Sequence, residues 1–204
     1  MCIRDREGGT RHGAIVALGE QPALFPHFDR LLDDAHAIAK VLAECYDGTV
    51  SRATFQHVAL ATKTAALAEA LRETPPEKLI IAERSPFSDA AVFAKAFLDE
   101  EVEQRAYGVA HDAAMRTIGP LECGFVFLEG ASTATLGERI CQRNRNGESS
   151  IDAGLLAQLE TLHTELKQTL QGSGRPVIGL DCSKDAREVF RDAAEFIDPH
   201  VRHN

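Results

Sequence analysis

Short apolar runs alternate along this chain with longer stretches in which apolar residues recur at helical spacing. The runs that we predict to be buried strands are Ala14–Leu18, Leu79–Ala82, Cys123–Leu128 and Pro176–Leu180. Strands that are apolar on both faces and separated by helices form a parallel sheet flanked by helices. The sequence therefore predicts an α/β fold, in which ligands bind beyond the carboxyl ends of the strands.

The helical stretches complete this pattern. Ser51 is placed to cap one helix, and Pro75-Pro76 ends it. The predicted helices span residues 28–46, 51–72, 88–99, 102–118, 134–143, 153–170 and 186–197. We expect a single domain over residues 14–198 and a short tail over residues 199–204. Residues 1–13 join no periodic element, and we interpret them as a disordered terminus or as foreign sequence.

Composition narrows the classes of function. With 22 Lys and Arg against 31 Asp and Glu, the net charge of −9 argues against a general nucleic-acid or anionic-membrane surface. No apolar run approaches the roughly 18 residues of a membrane span. The start of the chain has no signal-peptide pattern, so we expect a cytoplasmic protein. The five cysteines include no C-x-x-C and the eight histidines no H-E-x-x-H, so neither a disulfide framework nor a zinc site is predicted.

Glu83 and Arg84 follow directly after the predicted strand 79–82 and precede the turn Ser85-Pro86. Burying such charges without partners is costly, so each of them needs a counter-charge or a ligand. One interpretation is a structural ion pair at the edge of the sheet. The other is a functional pair, in which Arg84 holds a reactive oxygen or a phosphate and Glu83 orients it.

Three arginines, Arg139, Arg143 and Arg145, cluster where a predicted helix ends. The first two share a helix face because they are four residues apart. Guanidinium groups are permanently charged and bind phosphate in a bidentate way, which suits a transferring phosphoryl group. A solvated basic helix face is the alternative, although the chain as a whole is acidic.

Phe55, Gln56 and Phe93 form a third candidate group. The amide of Gln56 presents a donor and an acceptor in one plane, which can match the edge of a nucleobase. Two phenylalanine rings can lie on either side of such a base. The alternative is that the two phenylalanines belong to the core and the glutamine to the surface.

The order and spacing of these groups resemble the deoxynucleoside kinase family, which includes the deoxycytidine, deoxyguanosine, deoxyadenosine and thymidine-2-type kinases. The resemblance covers about Glu20 to Ile197. It rests on four blocks: Tyr46 followed by Phe55-Gln56; Glu83-Arg84-Ser85-x-x-Ser88-Asp89 with Phe93; Arg139-Ile-x-x-Arg143-x-Arg145-Asn-x-Glu148; and Leu155-Leu156-x-x-Leu159. It implies a P-loop kinase type of fold and transfer of the ATP γ-phosphoryl group to the 5′-hydroxyl of a deoxynucleoside, with Mg²⁺.

The resemblance also implies roles for individual residues. Gln56 would hydrogen-bond the base, with Phe55 and Phe93 stacking around it. Tyr46 and Glu148 would hold the 3′-hydroxyl of the sugar. Glu20 would be the general base, although the family's Glu-Pro pair reads Glu20-Gln21-Pro22 here. Arg84 would lie beside the 5′-hydroxyl, and the lid over the ATP phosphates would consist of Arg139, Arg143 and Arg145.

Lys63 and Asp89 bear on the preferred base. Lys63 stands where several family members have an arginine, so it keeps the charge and loses the planar fork. Asp89 stands where thymidine-preferring members tend to have a small residue. The pair therefore favours deoxycytidine or purine deoxynucleosides. The resemblance further implies a homodimer formed through the helices predicted over residues 28–46 and 51–72.

The phosphate loop of the family, G-x-x-x-x-G-K-[ST], has no match in these 204 residues, since Gly8-Gly9-Thr10 carries no lysine. We therefore expect a kinase domain that lacks its first strand and phosphate loop and has little or no catalytic activity as it stands. Two alternatives remain at this stage. One is a nucleoside monophosphate kinase of the thymidylate kinase type, and the other is a non-enzymatic protein that binds nucleosides.

Overall fold

The computed structural model of this chain describes residues 38, 40–74, 80, 82, 84–121, 123–143 and 151–201. Residues 40–46 are helical. The helices that follow are α1 (Arg52–Glu73), the composite helix α2 (Pro86–Ser88, the π-helical turn Asp89–Ala94, and Lys95–Phe97), α3 (Glu101–Ile118), α4 (Thr133–Arg143), α5 (Ala153–Gly172) and α6 (Ala186–Val201). This described part of the chain is therefore rich in helix.

Two strands, β1 (Phe125–Glu129) and β2 (Val177–Asp181), form a small parallel sheet in the described part of the chain. Phe125 lies opposite Val177, and Glu129 lies opposite Asp181. The segment between the strands contains α4 and α5, as a parallel pair requires, because two parallel strands need a long crossover connection. Helices α5 and α6 both pack against β2, so the sheet carries helical cover.

The composite helix α2 lies between two groups of buried apolar residues. Its residue Val92 belongs to the larger group, which contains Leu71, Val92, Ile118, Leu121, Cys123, Phe125, Leu166 and Leu170. Its residue Ala94 belongs to the smaller group, which contains Leu60, Ala94, Leu98 and Tyr107. Burial of apolar surface on both sides holds α2 firmly in place. Any side chain that α2 carries is consequently well positioned relative to α1, α3 and α5.

The structure confirms much of the predicted organisation. The α/β architecture with a parallel sheet is present. Helices also occur at five of the predicted positions, residues 51–72, 102–118, 134–143, 153–170 and 186–197. Ser51 caps α1 as predicted, since its side chain accepts a hydrogen bond from the backbone N–H of Thr54. The runs 123–128 and 176–180 appear as β1 and β2, each ending one residue later than predicted.

Other predictions need correction or lie beyond the described residues. The helix predicted over residues 88–99 begins at Pro86, because Ser85 caps it, and contains a π-helical turn. Within the run 79–82, Ile80 and Ala82 are described, and both lie outside the two strands while packing against the larger apolar group. The strand predicted over residues 14–18 and most of the helix predicted over residues 28–46 lie outside the described part of the chain.

Candidate functional site

The segment that enters α2 has an unusual backbone. Arg84 has a φ of 62°, which non-glycine residues rarely adopt and which occurs preferentially at functional sites. Ser85 and Ser88 then form a reciprocal capping box: each backbone N–H donates to the hydroxyl of the other residue, at 3.0 and 3.2 Å. Pro86 occupies the first helical turn, where its missing N–H costs nothing. The Ser-Pro-x-Ser pattern thus fixes the start of α2 immediately after Arg84.

The π-helical turn that follows places Asp89 in the interior and leaves Phe93 partly buried against the larger apolar group. Such turns insert an extra residue and often occur at functional sites. Lys63 Nζ of α1 donates to Asp89 Oδ1 at 2.5 Å. The Asp89 side chain is only 4% exposed and that of Lys63 24%, so this ion pair lies largely inside the protein. The structure therefore brings together the two residues that the sequence linked to base preference.

The second carboxylate oxygen of Asp89, Oδ2, is also buried but, unlike Oδ1, has no hydrogen-bond partner among the described residues. Buried polar atoms in native proteins are nearly always hydrogen-bonded, to protein, to water or to a ligand. An ionised carboxylate can only accept, so the partner that Oδ2 lacks must be a donor.

Gln56 lies on the same face of α1 as Lys63, because seven residues correspond to nearly two helical turns or roughly 10 Å. Its side chain is buried and makes no hydrogen bond to a described residue. An amide carries two N–H donors and a carbonyl acceptor. Gln56 and Asp89 together therefore leave both donor and acceptor capacity unused on the interior side of α1 and α2.

Arg84 lies against Phe93. Its guanidinium carbon is 4.1 Å from the centre of the Phe93 ring, which is a close cation–π contact. His163 of α5 meets the same ring edge-on at 5.8 Å. Arg84 thus covers a ring that the sequence assigned to base stacking. Phe55 is half-buried on α1, and no ring contact joins it to Phe93 among the described aromatic pairs.

His163 is a residue that the sequence interpretation missed. Its Nδ1 lies 2.7 Å from the backbone carbonyl oxygen of Leu159, one turn earlier. Burial lowers the pKa of His163, and the positive charge of Arg84 lowers it further, against an opposing effect of the Leu159 hydrogen bond. The sequence offered a weak signal, since His163 follows the Leu155-Leu156-x-x-Leu159 block on the same helix.

Tyr107 of α3 is a second missed residue. Its ring meets His57 edge-on at 5.5 Å and stacks with His111 at 6.4 Å. The residue is 2% exposed, and its hydroxyl has no hydrogen-bond partner in the described part of the chain. Burial raises the pKa of Tyr107 well above its usual value, and the nearby charge of Asp89 adds to the effect. Nothing in the local sequence around Tyr107 distinguishes it from an ordinary core aromatic.

Two of the three predicted lid arginines belong to α4. Arg139 is exposed, and its Nη2 donates to the backbone carbonyl oxygen of Cys182 at 3.0 Å. Arg143 is the last residue of that helix. Cys182 directly follows β2, so Arg139 ties α4 to the carboxyl end of a strand, where ligands of α/β proteins bind.

Of the remaining predicted residues, Tyr46 belongs to the described part of the chain. Tyr46 is half-buried and is the last of the helical residues 40–46. Glu20, Glu83, Arg145 and Glu148 lie outside the described residues. Within the described ranges, no three His, Cys, Asp or Glu side chains are grouped closely enough to hold a metal ion. Each helix in the described ranges is too short or too polar to span a membrane.

A family model described as "Deoxynucleoside kinase" matches residues 20–202, which is most of the chain. The matched range contains every residue of the site described above. No curated protein matches this chain significantly in sequence.

Proposed function

Because this chain belongs to the deoxynucleoside kinase family, we propose that its interior site, formed by α1 and α2, binds the base of a deoxynucleoside. The family is one of nucleoside kinases, and its reaction moves the γ-phosphoryl group of ATP to the 5′-hydroxyl of the nucleoside. The observation that supports the binding role best is the buried Asp89 Oδ2, which has no hydrogen-bond partner among the described residues and lies beside the Lys63 ammonium, with the buried Gln56 side chain on the same face of α1 as Lys63.

The chemistry of these groups favours particular bases. Asp89 Oδ2 needs a donor, and cytosine, adenine and guanine each carry an exocyclic amino group that can supply one. Thymine presents its O4 carbonyl at the position where cytosine carries the amino group, so an acceptor would face the carboxylate oxygen at a cost in affinity. The Gln56 amide can donate to a ring nitrogen such as cytosine N3 or adenine N1, and its carbonyl oxygen can accept from the adjacent exocyclic amino group. Deoxycytidine or a purine deoxynucleoside is therefore the substrate class that we propose.

The phosphoryl end of the reaction involves other residues. Arg84 would hold the acceptor region near the 5′-hydroxyl, and its close approach to Phe93 supports a position beside the base slot. Glu20 would accept the proton of the hydroxyl, and Glu83 would orient Arg84. Tyr46 and Glu148 would bind the 3′-hydroxyl. Positive charge for the transferred group would come from Arg139, Arg143 and Arg145.

ATP and Mg²⁺ fit this chain less well than the nucleoside does. The sequence contains no G-x-x-x-x-G-K-[ST], which normally supplies the backbone N–H groups and the lysine for the phosphates. The described residues also offer no grouped metal ligands. We therefore assign no Mg²⁺ ligand, and we propose that the 204-residue chain binds a deoxynucleoside while transferring little or no phosphate.

Isothermal titration calorimetry on the 204-residue chain tests this proposal. Deoxycytidine or deoxyadenosine should bind more tightly than thymidine, with no requirement for ATP. Tighter binding of the 5′-monophosphates would instead favour a monophosphate kinase of the thymidylate kinase type. A folded chain that binds none of these nucleosides would refute the proposed binding. ATP-dependent phosphorylation of a nucleoside would refute the proposal that this chain transfers little or no phosphate.

Gln56→Leu is the variant that isolates base recognition. It removes the amide and keeps the approximate volume, so nucleoside affinity should fall about tenfold, because one net hydrogen bond is worth roughly 1–1.5 kcal/mol. Gln171→Leu near the end of α5 is the matched control, since the Gln171 side chain is exposed. Equal affinities for the two variants would argue against a contact between Gln56 and the base.

A further inference from the structure

Asp89 Oδ2 and the Tyr107 hydroxyl are the two buried side-chain atoms that lack a hydrogen-bond partner in the described part of the chain. The two belong to neighbouring elements, since α3 packs against the π-helical turn that carries Asp89. The carboxylate oxygen of Asp89 can only accept a hydrogen bond, whereas the Tyr107 hydroxyl carries a proton to donate. Two complementary unsatisfied groups on packed elements indicate a shared polar site.

The Tyr107 ring has little freedom to leave this position. His57 meets the ring edge-on and His111 stacks against it. His111 is itself anchored, because its Nε2 lies 3.1 Å from the carbonyl oxygen of Pro86 at the start of α2. The ring also packs in the smaller apolar group with Leu60 of α1. Packing on all these sides sets where the Tyr107 hydroxyl lies.

The charge environment agrees with this geometry. The Asp89 charge acts on the Tyr107 hydroxyl strongly enough to contribute to its raised pKa. Tyr107 therefore keeps its proton throughout the physiological pH range and remains a donor. The Lys63 ammonium donates to the other carboxylate oxygen, Oδ1. A carboxylate held at one oxygen by a flexible lysine chain can still turn about its terminal torsion, whose energy profile is broad.

We propose that Tyr107 is a positioning residue for base recognition, whose hydroxyl donates to Asp89 Oδ2 through one buried water molecule. Lys63 and Tyr107 then hold the carboxylate at both oxygens and fix its plane. Oδ2 keeps a further lone pair, which faces the amino group of the base. A bridging water suits two buried polar atoms that do not touch directly. This inference rests on the proposed nucleoside-binding function.

A double-mutant cycle on the ligand-free chain tests the link itself. Tyr107→Phe removes the hydroxyl and keeps the ring in its packing, and Asp89→Asn removes the charge. The two substitutions should be non-additive in urea denaturation, because interacting groups couple and independent ones do not. Thr64→Val is the matched control, since the buried Thr64 hydroxyl already donates to the Leu60 carbonyl oxygen at 2.6 Å. Additive effects of Tyr107→Phe and Asp89→Asn would overturn the proposal.

Calorimetry with deoxycytidine and thymidine then tests the positioning role. Tyr107→Phe should reduce the preference for deoxycytidine about threefold to tenfold, as expected for one net hydrogen bond, whereas Thr64→Val should leave the preference unchanged. Coupling without any change in base preference would make Tyr107 purely structural and would overturn the proposal. If the wild-type chain binds no nucleoside, the proposed function fails and the positioning role fails with it, while the ligand-free cycle still reports on the Tyr107–Asp89 link.

Discussion

The Lys63–Asp89 ion pair predicts the largest single effect on stability. Lys63→Met keeps the aliphatic stem of the side chain and removes the ammonium, so the Asp89 carboxylate, 4% exposed, loses this counter-charge. Removing one partner of a fully buried pair costs about 3–5 kcal/mol, whereas exposed pairs contribute about 0–1 kcal/mol. Because the Lys63 side chain is 24% exposed, water partly screens the pair, and we expect a loss of about 2–4 kcal/mol.

Urea denaturation followed by far-ultraviolet circular dichroism measures this loss. The midpoint should fall with an unchanged slope, and a loss of about 3 kcal/mol corresponds to roughly 6–12 °C in melting temperature for a chain of this size. The double variant Lys63→Met/Asp89→Asn should recover much of the stability, because it no longer buries an uncompensated charge. A single variant as stable as wild type, or a double variant no more stable than the single, would refute the reasoning.

Two further predictions concern stability. Because burial lowers the folded-state pKa of His163 below its unfolded value of about 6.5, the unfolded chain binds more protons near that pH; stability should therefore decrease from about pH 7.5 to about pH 5.5. His163→Asn should flatten this dependence in urea titrations, and an unchanged slope would contradict it. Gly119 caps α3 with a φ of 78° and a ψ of −172°, so Gly119→Ala should cost about 1–3 kcal/mol. Gly137→Ala in α4, where a new Cβ meets nothing within 4 Å, should gain about 0.5–1 kcal/mol, and equal urea midpoints for the two variants would contradict the backbone argument.

The helices and the two described strands were predictable because their signals are local. Apolar periodicity, the Ser51 cap and the apolar runs each act over a few neighbouring residues. The family resemblance was also accessible, since it depends on the order and spacing of short motifs along the chain. The family model that matches residues 20–202 confirms it.

The π-helical turn at Asp89–Ala94 was not predictable in the same way. The residues Asp89–Ala94 are as compatible with α-helical as with π-helical hydrogen bonding. In the folded protein this turn packs against both apolar groups and has π-helical hydrogen bonds. Arg84 likewise gave no local sign of its left-handed backbone. These two features orient Asp89 and the Arg84 guanidinium.

Sequence alone therefore determined most of the described elements, the fold class and the residue types available for nucleoside chemistry. Tertiary structure alone decided which of those residues meet. The bond from Arg139 to Cys182 joins positions 43 residues apart, and the Lys63–Asp89 pair joins positions 26 apart. The proposed link between Tyr107 and Asp89 likewise depends on how α3 packs against the π-helical turn of α2. The physical reason is that helix and strand signals are short-range, whereas a binding site is assembled by the burial of apolar surface between elements far apart in the chain.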